Sequence, residues 1–471
     1  MAVNKKTLNT LIAGEVDFVD LRFTDLRGVW QHMSIPAHEF SQENIEKGFG
    51  FDGSSIRGFS TIYESDMLLM PDTDTIFIDP FFEKTIVCIC DVYDPDTLKP
   101  FDKDPRFVAK KAEEYLKKTG VADTSYWGPE IEFFIFDKLT VNLQPYLSYI
   151  NIESKELPFT SPYQEGNDPY KVLNKTGYFP VPPFDKLQNF RSEMVKILEE
   201  IGVKIEVHHH EVSSGGQVEI DMRYDSLVNM ADKVMIYKYV ARNLAAKYGM
   251  YACFLPKPIY GDNGSGMHTH QSLFKDGKNL FFDPEGKDSY AELSKMGLSY
   301  AAGLLSNIGT VLALTNPTLN SYRRLVPHFE APTSIAFSKR NRSAAIRIPM
   351  YYKNEEKAKR IEFRVPDPTC NPYLSFASLL VFGLEGVDKK MDPKKLGFGP
   401  YEQNIWENSK IPQTPNNLFE ILDNLREDKI LVKSGVFTQD LVNSYADVRF
   451  EDAQTNLLYP TPADFWFNSD I

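Results

Sequence analysis

Between Glu206 and Glu219 the chain carries three carboxylates and three imidazoles: Glu206, His208, His209, His210, Glu211 and Glu219. The flanks KIEV and VEI alternate like short strands, and Ser213-Ser214-Gly215-Gly216 between them supplies a tight connection, so the stretch predicts a β-hairpin. A second acidic strand is Gly128-Pro129-Glu130-Ile131-Glu132. Residues i and i+2 of a strand share a face, which sets Glu130 and Glu132 roughly 7 Å apart. At an effective dielectric near 20 two such charges repel by about 2 kcal/mol. The run Phe133-Phe134-Ile135-Phe136 makes that strand internal, where acids are costly unless something positive holds them. The partners on offer are a divalent metal, arginine, or both. A solvated polar hairpin is the plainer alternative, and the remaining polar strands weigh against it.

His268 and His270 alternate on a strand after the glycine-rich Gly261-Asp262-Asn263-Gly264-Ser265-Gly266, which lets backbone approach a ligand closely but matches neither common phosphate-loop pattern. Arg360, Glu362 and Arg364 repeat the i, i+2 spacing. Lys339, Arg340, Arg342 and Arg347 form a dense basic cluster in an otherwise acidic chain, which invites a phosphate or carboxylate ligand. If these strands line one cavity, its donors are mostly carboxylate oxygen with an occasional imidazole. That set suits Mg2+ or Mn2+ rather than zinc. Divalent metals with several arginines equip a site for phosphoryl transfer to an acidic or phosphorylated substrate.

The elements that must position these residues are legible in outline. With 471 residues the chain is too long for one ordinary core, and two domains are expected. Residues 16–35 read as two strands, 50–56 as a turn-rich loop, and 75–79 and 85–93 as further strands. Pro100 to Pro105 marks a boundary, giving a β-rich domain over 1–105 and a larger one over 106–471. The larger part opens with the helix FVAKKAEEYLKKTG. Residues 139–186 read as a long excursion without pattern. Helices follow near 187–201, 226–248 and 372–387, and prolines bracket a flap-like loop at Asn320–Pro332. Hydrophobic residues make up 42% and charged residues 25%, an ordinary globular balance. A net charge of −13 argues against a nucleic-acid partner. No apolar run approaches the ~20 residues of a membrane helix, and the N-terminus lacks the pattern of a signal peptide. Four scattered cysteines suit free thiols in a reducing cytoplasm.

The motifs VDFVDLRFTD, FDGSSI, GPEIEFF, GYFPVPP, HHHEV, GDNGSGMHTH, NSYRRLVPHFEAP, NRSAAIRIP and RIEFRVPDPTCNPYL, in this order, resemble the glutamine synthetases from about residue 16 to 390. The excursion at 139–186 is similar to the bacterial type I β form. The resemblance implies an α+β architecture: an N-terminal β-grasp domain and a catalytic domain whose antiparallel sheet lines the active site. It implies a homododecamer of two hexameric rings with active sites between subunits, and ATP-dependent ligation of ammonia to L-glutamate for central ammonium assimilation. By motif, Glu132, Glu211 and Glu219 would hold one metal, and Glu130, His268 and Glu362 another on the ATP phosphates. Glu206, Tyr224, His270, Ser272 and Lys357 would contact ATP, and Arg342 and Arg347 the transferring phosphate. Glu132, Asn263, Gly264, Arg324 and Arg364 would bind glutamate. Asp52 of the adjacent subunit, with Ser55, would form the ammonium pocket, and Glu330 would cover it on the flap.

Two departures stand out. Phe59 replaces a tryptophan that type I members often carry after FDGSSI, which keeps ring stacking, loses the indole donor and is expected to matter little. Trp406 occupies the place of the tyrosine that many type I β enzymes adenylylate, and an indole N–H cannot attack a phosphate, so control by adenylylation is expected to be absent. Two other readings use the same residues. A γ-glutamyl ligase for a polyamine is disfavoured by the anionic pocket of Asp52, Ser55 and Glu330. A non-catalytic scaffold is disfavoured because idle buried charge is costly.

Overall fold

The computed structural model describes residues 15–157, 169–327, 329, 331–403, 405 and 410–468. Glu330 and Trp406 therefore lie outside the described residues. The first sheet comprises β1 (Phe18–Thr24), β2 (Trp30–Pro36), β3 (Phe49–Asp52), β4 (Asp66–Pro71), β5 (Phe77–Ile78), β6 (Thr85–Asp94) and β7 (Lys99–Pro100). Its order is β2-β1-β6-β4-β3, with β5 and β7 also paired to β6. β1 and β6 run parallel, and the other pairs are antiparallel. The stretch read from sequence as loop at 50–56 is different: β3 runs to Asp52 and a 3-10 turn covers Gly53–Ser55. Only the second half of that stretch carries the serines that favour a turn.

Phe59 is a core residue. It is 1% exposed and packs between Phe23 and Phe101, so its ring serves this domain's interior within the chain.

Asp104 caps the Pro105–Thr119 helix by accepting from Arg106 N, with proline at the first helical position and Gly120 closing the helix in the left-handed conformation. Arg106 is 3% exposed and ties the two parts together, because its guanidinium meets Asp91 of β6, Asp72 just after β4, and Asp232 of the Leu227–Lys247 helix. Gly28 adds a second join. A Cβ there would stand 2.7 Å from Asn371 Cα, while Asn371 donates to Asp25 O and caps the Pro372–Asp388 helix.

In the larger part β8 (Thr124–Phe136) leads directly into a separate two-stranded hairpin, β9 (Lys138–Gln144) and β10 (Leu147–Glu153). This corrects the patternless reading of 139–186. Lys138–Gln144 alternates polar with apolar, with Val141 and Leu143 exposed on one face, whereas Leu147–Glu153 carries Leu147 and Tyr149 on one face and Ile150 on the other, so the period-2 signal stands in the first strand and is lost only in the second. Beyond the hairpin, several described residues of the excursion meet the stretch 209–212. His210 Nε2 meets Glu156 at 3.0 Å, Gly177 N donates to Val212 O, and Tyr178 and Phe179 pack on His209.

The second sheet adds β11 (Ile205–His210), β12 (Gln217–Met222), β13 (Asp225–Ser226), β14 (Tyr251–Cys253), β15 (Met267–Lys275), β16 (Lys278–Asn279), β17 (Ser334–Lys339), β18 (Ala344–Ile348) and β19 (Ile361–Phe363). With β8 they form a ten-stranded sheet in the order β11-β12-β8-β15-β19-β18-β17, antiparallel except for β17 with β18. Helices including Leu227–Lys247, Lys295–Ser306 and Pro372–Asp388 contribute a continuous apolar core with it. All four cysteines are buried free thiols. Among the described residues no single helix is long and apolar enough to cross a membrane.

Candidate active site

Register across the second sheet decides which polar residues meet. His209 pairs with Glu219, and Glu219 with Glu132, across β11, β12 and β8. Glu130 pairs with His268 across β8 and β15, and His270 with Glu362 and Glu362 with Arg347 across β15, β19 and β18. The isolated i, i+2 pairs seen in sequence thus become one polar band on one sheet. A cavity of about 230 Å³ opens on it. Glu130, Glu132, Glu211, Glu219 and His268 line one part of its wall, and Arg324, Arg342, Arg347 and Arg364 supply cations. Asn263 and Gly264 complete the wall beside Arg324. Gly264 is required there, because a Cβ would fall 2.1 Å from Pro256 O.

Two groups of side chains can each close on one ion. Glu130, His268 and Glu362 offer ligand atoms within 4.8 Å of one another, matching the set expected for the phosphate-side metal. The second group is His209, Glu219 and Asp221. Glu132 and Glu211, expected beside Glu219, line the same cavity. His209 and Asp221 are additions that sequence reading missed, although Glu219-Ile220-Asp221 carries the same i, i+2 spacing as Glu130 and Glu132. Asp221 Oδ1 and Asn263 Oδ1 are buried with no hydrogen-bond partner among the described residues. Carboxylate oxygens, one imidazole per group and an orphaned acceptor fit a divalent cation.

The electrostatics divide the acids. Burial pushes Glu132 up to about 7 although Arg324 opposes it. Burial also drives Glu219 and Asp221 well above the carboxylate range, reinforced by neighbouring carboxylates. Burial works against Glu130 and Glu362 too, yet His270 and His268 hold Glu130 well below its usual value, and Arg364 with other cations brings Glu362 down to about 2. Glu362 is fully buried and accepts from Arg347 Nε and from Arg364 Nη1 at 2.6 Å. Burial and Arg364 lower His268 to about 4, leaving it neutral at working pH, as a metal ligand must be. Glu132 is held by Gly266 N at 2.8 Å and Gln217 Nε2 at 3.2 Å. Arg324 donates to the carbonyls of Val365 and Arg364, so backbone fixes its place at the cavity wall.

A stability prediction arises from these shifts. The folded Glu132 titrates near 7 against 4.5 for its ordinary value. Between those values the folded chain binds more protons than the unfolded one, so stability falls as pH rises. Metal-free protein is expected to lose on the order of 2–3 kcal/mol of stability from this group between about pH 5 and 8. Added Mg2+ or Mn2+ is expected to raise the melting temperature more at pH 8 than at pH 6. Thermal scans with and without chelator check this, and an equal metal effect at both pH values would refute it.

Other expected site residues lie elsewhere. His270 sits between Glu130 Oε1 at 2.7 Å and Arg360 Nε at 2.9 Å. Ser272 is buried farther along β15, Glu206 is exposed on β11, Tyr224 is half-exposed with its ring edge-on to Tyr126, and Lys357 is exposed on a short turn. These four do not line the cavity. Asp52 and Ser55 do not line it either. They belong to the first sheet's edge, where Asp52 accepts from Ser54 and Ser55 hydroxyls while exposed. Of the flap, Phe329 and Ala331 line the cavity, and the ammonium groups of Lys257 and Lys175 stand over the Phe329 ring at 3.8 and 4.1 Å from its centroid.

Comparison with known proteins matches both parts of the chain. The family description "Glutamine synthetase, beta-Grasp domain" matches residues 15–95, and "Glutamine synthetase, catalytic domain" matches residues 102–467. A glutamine synthetase from Aquifex aeolicus is 48% identical, covering 97% of this chain and 96% of that one. A protein from Cupriavidus pinatubonensis named 3-hydroxylaminophenol mutase is 47% identical, covering 96% of each. The solved structure of Plasmodium falciparum glutamine synthetase superposes with a TM-score of 0.89 at 27% identity, covering 99% of this chain and 98% of that one.

Proposed function

The chain belongs to the glutamine synthetase family, and from that premise we propose that its acidic cavity makes glutamine by way of γ-glutamyl phosphate. The enzyme is a glutamate–ammonia ligase that uses ATP and divalent metal. A carboxylate is a poor electrophile for ammonia, because the group leaving would be oxide. Transfer of the γ-phosphoryl of ATP to the γ-carboxylate oxygen of glutamate releases ADP and creates a phosphate leaving group. Ammonia then attacks the acyl carbon, phosphate departs, and the proton lost from ammonium passes to a carboxylate.

The observation that carries this reading is the sheet register, which gathers carboxylates and arginines on one cavity. Arg324, Arg364, Asn263 and Gly264 bind the glutamate, with Glu132 beside its amino group. Arg342 and Arg347 face the transferring phosphate. Arg342 is the better placed, since among the described residues no carboxylate pairs with it, whereas Arg347 is already paired with Glu362. Glu130, His268 and Glu362 hold one metal. Glu219, with Glu132 and Glu211 or with His209 and Asp221, holds another. When bound, Mg2+ or Mn2+ neutralises phosphate charge and polarises the reacting oxygens. Glu206, Tyr224, His270, Ser272 and Lys357 cradle the nucleotide. Asp52 and Ser55 of an adjacent subunit, with Glu330, gather ammonium and accept its proton, and the flap keeps water from the acyl phosphate. A cytoplasmic dodecamer of two hexameric rings, each chain divided near residue 105, completes the reading.

Phosphate release with glutamate and ATP is expected to depend on ammonium and not on putrescine. Since a relative is named for a mutase, incubation with 3-hydroxylaminophenol is a second arm, expected to give no product. Putrescine-dependent release without ammonium-dependent release would overturn the assignment.

A further inference from the structure

Arg342 stands in the turn between β17 and β18, and the residue before it uses all of its amide hydrogen-bonding capacity. Asn341 Nδ2 donates to Tyr401 O and to Gln403 O, each at 2.9 Å. Its Oδ1 accepts from Ser343 N at 3.1 Å and from Ser343 Oγ at 2.6 Å. A primary amide has two donor hydrogens and an acceptor oxygen with two lone pairs, so nothing remains unused. The two halves do different work. The oxygen closes the turn around Arg342, and the nitrogen fastens that turn to a segment more than fifty residues away in sequence.

That segment is itself anchored. Ile405 is 1% exposed and packs in a small apolar cluster with Ala336, Ala344 and Ile411. Its N–H points to Ser343 Oγ at 3.5 Å. Glu402 meets Lys339 Nζ at 2.9 Å and Tyr290 Oη at 2.9 Å, bracing the other side of the same turn. Arg364, on the cavity wall, donates to Arg342 O at 3.2 Å. The backbone of Arg342 is therefore held from the 401–405 segment through Asn341 and from the cavity side through Arg364.

We propose that Asn341 is a positioning residue: it fixes the Arg342 guanidinium in the cavity and couples the 401–405 segment to the phosphate end of the site. The proposal rests on the reading of Arg342 as the group facing the transferring phosphate. Displacing residues 401–403 would release the two Asn341 bonds that hold the turn, and turnover would fall while the groups that bind glutamate stay in place.

The test is Asn341→Asp, which keeps the shape and the acceptor toward Ser343 but sets an oxygen against two carbonyls. Turnover number is expected to fall about tenfold from misplacement of one catalytic cation. KM for glutamate and for ammonium is expected to stay within about twofold. In an Arg342→Lys background the same substitution is expected to cost nothing further. Ile405→Ala, remote from the cavity, is expected to give a weaker fall of the same kind. A purely structural role would instead lower the melting temperature and multiply with Arg342→Lys, and that result would overturn the proposal. Unchanged turnover in Asn341→Asp while Arg342→Lys is impaired would refute the coupling and leave the role of Arg342 standing. Full activity in Arg342→Lys would overturn the reading of Arg342 and the proposal together.

Discussion

Glu130→Gln is expected to cut turnover on the order of 10²–10³-fold, the scale on which one electrostatic group in a water-poor site acts, while the protein folds and assembles normally. Glu130 joins His268 and Glu362 in one potential ion site and reaches His270 as well, so its carboxylate serves several positive partners at once. Glutamine keeps the size and one acceptor oxygen but removes the charge, so one ion should bind weakly and more metal should be needed. Folding should survive because the neighbouring His268 is held neutral and the buried Glu219 and Asp221 lose a repulsive neighbour. Calorimetric titration of metal into the variant, alongside turnover over a range of Mg2+, checks both halves. Wild-type turnover at limiting Mg2+ would end the ligand assignment. Glu362→Ala is a poorer probe. That carboxylate also neutralises buried Arg347 and Arg364, and stripping it from two buried cations is expected to cost about 3–5 kcal/mol of stability.

The candidate ligands could be read from sequence because strand geometry is periodic. Glu130 with Glu132, and His268 with His270, needed only the i, i+2 rule to be placed on one face. What the rule cannot give is register between strands, which depends on long-range pairing. Hence Glu219 opposite Glu132, and His209 opposite Glu219, appear only in the folded sheet. Asp221 obeys the same rule, two residues after Glu219 on one strand. In the β9–β10 hairpin the first strand is legible, since Leu139, Val141 and Leu143 alternate with polar residues, while the second is not, because Tyr149 and Ile150 are adjacent and lie on opposite faces. The short strand β3 was hidden because its four residues, Phe49-Gly50-Phe51-Asp52, include a glycine and run straight into the serine-rich turn. Asn341 could not have been singled out, since its partners Tyr401 and Gln403 contribute backbone carbonyls, which leave no trace in residue type.

Asp52→Ala is expected to reduce ammonium-dependent glutamine formation on the order of a hundredfold, as loss of a positioned proton acceptor does, with KM for glutamate nearly unchanged. Within one chain Asp52 does not line the cavity, and it sits at the edge of a different sheet with its carboxylate exposed. If it acts at all, it acts in a neighbour's cavity. Co-assembly turns this into a sharp test. Asp52→Ala chains retain intact metal ligands, and Glu130→Gln chains retain Asp52. A cavity from the first facing an edge from the second is complete. In the proposed ring, random mixing of equal amounts makes about one shared site in four complete, so activity is expected to recover toward a quarter of wild type from two nearly inactive parents. Native mass spectrometry would verify mixed assemblies, and the recovery should follow the product of the two fractions as the ratio is varied. Verified mixed rings with no more activity than their parents would show that Asp52 serves no shared site.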